Sequence, residues 1–307
     1  MSDPATPRPV AFIGLGNMGG RMCRRLVDAG FPVFGFDLRP GLAEAAGAEP
    51  RPSVAAAVAD VEVVLLSLPD STVVEAVVEG QDGILAGGRP GQIVVDLSTA
   101  APASTRRLHG LFAERGVEFL DAGVSGGAAA AERGALTIMV GGSEAALERV
   151  GDVLAPIAAK VVHMGESGAG HATKLLNNFL NAVALAATAE VMVAGRKAGL
   201  DLERLLEVLN SSSGVNFATQ KRFPSIIHGD YLEGGLTGRL MMKDVVLYVE
   251  YLRELGVPSL NASGPLASFG LSNQLGYVDQ ISNRVVDAIG DVAGHVRLYD
   301  EDASTKE

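Results

Sequence analysis

Residues 9–37, PVAFIGLGNMGGRMCRRLVDAGFPVFGFD, constrain the fold more than any other stretch of the 307-residue chain. The apolar run 10–13 reads as a short buried strand. The glycine-rich turn behind it opens a helix in which Met18, Met22, Leu26 and Val27 recur at helical spacing. Gly30 stops that helix, and 33–36 forms a second strand that ends at Asp37. Strand, turn, helix and strand within about thirty residues is the length of a βαβ unit. Further apolar runs follow at 61–66 and 93–95, with weaker ones at 117–120 and 136–140, and helical stretches at 71–78, 105–114 and 144–154 separate most of them. The alternation predicts a mostly parallel sheet covered by helices on both faces.

Past residue 165 the pattern changes. The stretch 169–199 has no proline and is rich in Ala and Leu, and helical segments continue at 202–209, 240–255, 260–273 and 281–289 without a strand between them. The expected architecture is therefore an α/β Rossmann-type N-terminal domain over 1–165 and an all-α C-terminal domain over 166–307. The length suits two domains, and 48% apolar with 20% charged residues suits packed cores. Segment 175–195 is apolar enough to suggest a membrane span, but Asn177, Asn178, Asn181 and Glu190 mark it as a buried helix of a soluble protein. The first ten residues, Pro-rich and polar, argue against a signal peptide. The polar tail 300–307 is expected to fray. Cys23, the single cysteine, excludes an internal disulfide and fits the cytoplasm. A formal charge of −11 argues against a nucleic-acid or anionic-membrane partner, yet leaves room for a small anion held by local amides and a few cations.

Gly14-Leu15-Gly16-Asn17-Met18-Gly19 fits G-x-G-x-x-G, and its place between strand and helix gives it force. Gly14 permits the tight turn, Gly16 lets the backbone approach a pyrophosphate, and Gly19 lets helix and strand pack closely. Asn17 and Met18 complete the turn at the helix N-terminus, where unpaired N–H groups hold an anion. Asp37, 18 positions after Gly19, is placed to accept hydrogen bonds from ribose hydroxyls and to repel a 2′-phosphate. That favours NAD, while Arg39 leaves NADP open, because a guanidinium there accommodates the phosphate. Leu68 and Pro69, after the 61–66 strand, join the candidate cofactor-binding set.

Three later segments also follow strands or open helices. In Asp96-Leu97-Ser98-Thr99-Ala100-Ala101-Pro102, Ser98 and Thr99 either face the nicotinamide end of a dinucleotide or cap the next helix. In Asp121-Ala122-Gly123-Val124-Ser125-Gly126-Gly127, the amides of Ser125, Gly126 and Gly127 with the serine hydroxyl make a nest suited to a carboxylate, unless the loop is merely flexible. From Gly168 on, His171, Lys174, Asn178 and Asn181 share one helical face in an otherwise apolar helix. No charged residue stands between Lys174 and Glu190. A lysine buried there loses part of its proton affinity, as a general acid/base at neutral pH requires, whereas one that reaches solvent from the helix start does not.

These four segments, in this order, resemble the β-hydroxyacid dehydrogenase family, and the resemblance runs from GLGNMG through DLSTAAP, DAGVSGG and GAGHATKLLNN to Met242-Lys243-Asp244. It implies a 6-phosphogluconate dehydrogenase-like fold and hydride transfer between NAD(P) and a small β-hydroxy acid such as 3-hydroxyisobutyrate. It also implies roles by position. Ser125, Gly126 and Gly127 hold the substrate carboxylate, Lys174 is catalytic, and Asn178 orients the substrate. Lys243 and Thr99 lie near the nicotinamide. Tartronate semialdehyde or a related sugar-acid aldehyde is the alternative substrate, decided by residues near 216–223 and 235–240. An imine reductase or a non-catalytic dinucleotide-binding module is disfavoured by Lys174, and a decarboxylating phosphosugar dehydrogenase by the missing basic set. Two positions depart from the family pattern. Gly123 stands where the family has proline, which implies a more mobile loop and an altered substrate preference, and His171 stands where glutamine is commoner, which implies a structural role on the helix or at a subunit contact, with a direct role in catalysis as the alternative. A homodimer or homotetramer is expected from the apolar surface of the helical half.

Overall fold

The structure, a computed structural model, describes residues 7–299, so the tail expected to fray lies outside the described residues. The chain divides into two compact units, Met1–Lys174 and Leu175–Glu307.

The first unit is built on one eight-stranded sheet: β1 (Val10–Ile13), β2 (Val33–Phe36), β3 (Glu49–Pro50), β4 (Val63–Leu66), β5 (Ile93–Asp96), β6 (Glu118–Ser125), β7 (Leu136–Gly141) and β8 (Ala158–Gly165). Their order across the sheet is β3-β2-β1-β4-β5-β6-β7-β8. Every neighbouring pair is parallel except β6 and β7, which run antiparallel. The uninterrupted apolar runs of the central strands follow from coverage on both faces. Val10, Phe12, Leu65 and Val95 point into one core with Met22 and Leu26 of the helix Asn17–Asp28. Ala11, Ile13, Val64, Leu66 and Val94 point into the opposite core with Val74 and Phe112. Cys23 is buried in the first of these cores, and burial pushes its thiol up to about 12.

The chain winds outward from β1 to β3 and then returns to place β4 on the other side of β1. Such a reversal opens a crevice at the carboxyl ends of the two strands, where open α/β sheets bind ligands. The turn 14–19 leaves β1 at that end, and Leu68 and Pro69 follow β4 at the same end.

Strands β3 and β8 lack the apolar signal of the others. The first is two residues long and exposed, and the second is an edge strand with much of its length open to water. The weak runs at 117–120 and 136–140 are longer than their apolar cores suggest, reaching Ser125 and Gly141. The expected helix 144–154 is interrupted at Val150, giving Glu144–Arg149 and Gly151–Leu154.

The second unit contains helices and no named strand among its described residues. Its core gathers Phe179, Leu185, Met192, Phe223, Met241, Val245, Phe269 and Val285, and Phe179 stacks on Tyr248 with ring centroids 3.7 Å apart. The helix Ala169–Lys197 is long and apolar enough to cross a membrane by length and composition, but 56% of its most apolar window is buried inside the protein. Asn216 caps the short helix Phe217–Lys221 through a capping box with Thr219, and Phe223–Ile226 follows at once, two elements with no clear apolar period.

The division between the compact units falls after Lys174, inside the long helix. The reason is the packing of the first helical turn on the sheet. Gly170 sits so close to the Met139 and Asp121 carbonyl oxygens that a Cβ there would collide with both.

Candidate active site

The glycine turn is shaped for close backbone approach. Gly14 has φ +88°, and a Cβ on it would strike the Ser67 carbonyl; one on Gly19 would strike the carbonyl of Gly14. The helix Asn17–Asp28 has no side-chain cap and no acidic residue in its first turn, so its positive end is open to an anion. Asn17 is exposed and Met18 half-buried at that end. Asp37 braces the turn from the end of β2. Its Oδ2 accepts from Leu15 N–H at 2.8 Å and its Oδ1 from Arg39 N–H at 2.9 Å. The Arg39 guanidinium lies 3.5 Å from the same carboxylate, largely exposed, with Nη2 3.3 Å from where a Cβ on Gly16 would sit. These residues fit a dinucleotide: open amides for the pyrophosphate and a carboxylate for ribose hydroxyls.

The ends of β4 and β5 are tied together. Leu68 N–H donates to Ser98 Oγ at 2.9 Å, and Ser98 N–H donates to Asp96 Oδ1 at 3.0 Å. Ser98 is therefore a brace between strands, and neither it nor Thr99 caps the following helix, whose N-cap is Ala101. Thr99 is half-buried one residue on, and Pro69 is exposed beside Leu68.

The start of the helix Ala169–Lys197 is pinned by three groups that sequence reading left without a role. Asp121, fully buried, accepts from Gly168 N–H at 2.7 Å and from His171 N–H at 2.8 Å. The His171 ring lies 2.8 Å from Thr105 Oγ1 through Nδ1 and 3.1 Å from the Asp96 carbonyl through Nε2, with the Asp96 carboxylate 4.0 Å away. Burial raises the Asp96 carboxyl above its ordinary range, and the His171 charge offsets part of that. His171 is fully buried, with its ring held between Thr105 and the end of β5. The signal for Asp96 and Asp121 was present: each ends or enters a buried strand, where an unpaired carboxylate is too costly to keep.

Lys174 follows His171 by three residues and is only 9% exposed. Its Cβ packs over Gly123: a Cβ at 123 would lie 2.5 Å from it and 3.1 Å from the Gly170 carbonyl. Gly123 thus lies inside β6, paired with Met139, rather than in a loop. The glycine lets the helix approach the strand. Ser125, two residues further, lies on the same face of β6 by strand alternation and is the last residue of the strand. Gly126 and Gly127 follow with exposed backbone and positive φ.

In the helical unit, Asn178 is 5% exposed and donates through Nδ2 to Asp244 Oδ2 at 2.5 Å. Asp244 is buried, and its other oxygen lies 3.1 Å from Lys243 Nζ. The carboxylate therefore orients both Asn178 and Lys243. Its position beside the lysine in Met242-Lys243-Asp244 was the available clue.

An open dinucleotide crevice and a buried lysine on a pinned helical turn define a nicotinamide-dependent dehydrogenase. Residues 9–165 match the family model described as the NAD binding domain of 6-phosphogluconate dehydrogenase, and residues 168–273 match that of NAD-binding of NADP-dependent 3-hydroxyisobutyrate dehydrogenase. The chain is 38% identical to 2-(hydroxymethyl)glutarate dehydrogenase of Eubacterium barkeri, over 81% of this chain and 84% of that one. It is also 38% identical to NAD-dependent L-serine dehydrogenase of Pseudomonas aeruginosa, over 86% and 90%. The solved structure of Mycobacterium tuberculosis 3-hydroxyisobutyrate dehydrogenase with L-serine superposes with a TM-score of 0.83 at 33% identity, covering 91% of this chain and 98% of that one. The chain belongs to the β-hydroxyacid dehydrogenase family, NAD(P)-dependent oxidoreductases that act on the CH–OH group of hydroxy acids.

Replacing Asp121 by Asn removes a charged acceptor from two buried N–H groups. Thermal denaturation is expected to show a loss of about 1–3 kcal/mol.

Proposed function

We propose that Lys174 is the general acid/base for oxidation of a small β-hydroxy acid of the 3-hydroxyisobutyrate type. The observation that carries this is a buried lysine on a pinned helical turn, over the face of β6 that leads to Ser125. The amides of Ser125, Gly126 and Gly127 with the Ser125 hydroxyl receive the substrate carboxylate. Lys174 takes the alcohol proton during oxidation and returns it during aldehyde reduction. When bound, the nicotinamide supplies the hydride chemistry, and the chain supplies positioning and proton handling. Asn178, Lys243 and Thr99 are assigned to the substrate and the nicotinamide on the family pattern alone.

The relatives act on substrates as different as L-serine and 2-(hydroxymethyl)glutarate, which share a hydroxymethyl group next to the carbon that bears the carboxylate. The substrate question is answered by following absorbance at 340 nm with 3-hydroxyisobutyrate, 3-hydroxypropionate, D-glycerate, L-threonate, L-serine and 2-(hydroxymethyl)glutarate. Lys174→Ala is expected to lower kcat by about 100-fold or more while cofactor affinity hardly changes; near-normal turnover overturns the lysine assignment.

NAD is the proposed cofactor, because the Asp37 carboxylate stands where a 2′-phosphate would be repelled. Asp37→Ala is expected to raise KM for NAD by about 10- to 100-fold, the worth of a charged hydrogen-bond acceptor. If the unaltered enzyme instead prefers NADP, the exposed Arg39 guanidinium beside Gly16 is the group that receives the phosphate, and Arg39→Ala abolishes that preference. A cytoplasmic homodimer or homotetramer completes the reading, and elution as a monomer at micromolar concentration overturns that part of it.

A further inference from the structure

Three arginines stand on the helix Asn17–Asp28, and they are used differently. Arg24 Nη2 donates to the Ala45 carbonyl at 2.8 Å, and Arg25 Nε donates to the Pro156 carbonyl at 3.3 Å, so both tie the helix to neighbouring segments. Arg21 instead folds back along its own helix. Its Nη1 donates to the Asn17 carbonyl at 2.7 Å and to Asn17 Oδ1. Helical side chains slope toward the N-terminus, and a residue four positions in reaches the first turn. Asn17 is the first residue of this helix, and the Gly20 N–H is already bonded to the Gly16 carbonyl at 2.9 Å. The guanidinium is therefore held within one turn of the open amides of residues 17–19.

A cation in that place runs against the helix. The N-terminal end carries partial positive charge, which repels a guanidinium and favours an anion. No acidic residue in the first turn offsets it. The ion pair of Arg21 is with Glu132, whose Oε2 lies 3.9 Å from Nε and whose side chain is 73% exposed. An exposed pair at that separation contributes little. Among the described residues, the hydrogen bonds of the Arg21 side chain run through Nη1 alone, and both acceptors are neutral. That leaves the two N–H groups of Nη2 for an anion, on a planar group whose geometry suits phosphate oxygens.

We propose that Arg21 binds the cofactor pyrophosphate, adding a side-chain cation to the backbone amides of the turn. The proposal rests on the reading of residues 14–19 as the pyrophosphate site. Every group it uses, residues 14–21 and Glu132, belongs to the first compact unit. A bound pyrophosphate accepts from amides and guanidinium together, so the anion turns an unfavourable placement of Arg21 into a charge-assisted contact. Arg39, tied to Asp37 at the end of β2, answers to a different phosphate. Arg21 meets the group that NAD and NADP share, whereas Arg39 is placed for the 2′-phosphate that only NADP carries.

The test is titration calorimetry with ADP-ribose, which carries the pyrophosphate, and with adenosine, which carries no phosphate. Arg21→Gln is expected to weaken ADP-ribose binding by about 10-fold and to leave adenosine binding unchanged. It is also expected to flatten the salt dependence of ADP-ribose affinity, and to weaken NAD and NADP by the same factor. A loss confined to NADP assigns Arg21 to the 2′-phosphate and overturns the proposal. Equal losses for ADP-ribose and adenosine, or no loss for either, make Arg21 a structural staple on Asn17 and overturn it too. Should Arg21→Gln fail to fold, Glu132→Gln decides the matter, because it removes the carboxylate that competes for the guanidinium. Tightening of ADP-ribose by about 2- to 5-fold supports the proposal, and unchanged or weaker binding overturns it. Failure of the unaltered protein to bind ADP-ribose overturns the placement of the pyrophosphate at the turn, a different failure from binding that ignores Arg21.

Discussion

The Asp121 carboxylate, buried in the sheet and accepting N–H bonds from Gly168 and His171, is the interaction on which the arrangement of the lysine depends. A carboxylate withdrawn from water is costly unless strong donors meet it. The open N–H groups at the start of a helix are such donors, and their partial positive charge adds to the attraction. One contact therefore satisfies an acid in a strand and two amides of a helix. It fixes where the helix Ala169–Lys197 begins, and with it the first turn that carries His171 and Lys174. His171 adds a second attachment to β5, and glycines at 123 and 170 let helix and strand come within contact distance. These contacts place Lys174 over β6.

The same economy runs through the dinucleotide crevice. A chain with an excess of acidic residues is set to hold an anionic cofactor because it offers backbone amides rather than a basic surface. The glycines at 14 and 19 are there for contact distance, since any side chain would meet a carbonyl. Asp37 ties the turn to the end of β2 by accepting from the Leu15 and Arg39 N–H groups. Ser98 similarly joins the ends of β4 and β5, so the crevice walls are cross-braced by side chains that belong to the recognition motifs themselves.

Much of the fold was legible because its signals are local. A strand buried on both faces is apolar along its length, as β1 and β4 are throughout and β5 is up to its final residue, Asp96. The glycine turn announces itself through spacing, and the long helix through its uninterrupted length. The elements that escaped reading are those whose hydrophobic signal is weak for a physical reason. Strand β8 is an edge with much of its length exposed, β3 is two residues long, and the short helices at 217–221 and 223–226 are too brief to show a period.

By itself the sequence determined the class of chain: two domains, a dinucleotide turn, and a polar stripe of His171, Lys174, Asn178 and Asn181 on one apolar helix. Those follow from spacing along the chain, which one dimension records. What only the tertiary structure decided is who meets whom across long separations. Asp121 reaches His171, Asp244 reaches Asn178, and Arg222 reaches Asn181 and Asn283. It also turned Gly123 from a presumed source of loop mobility into a packing site beneath Lys174. Hydrogen bonds and close contacts between distant residues depend on how strands and helices are laid against each other, and no local pattern carries that information.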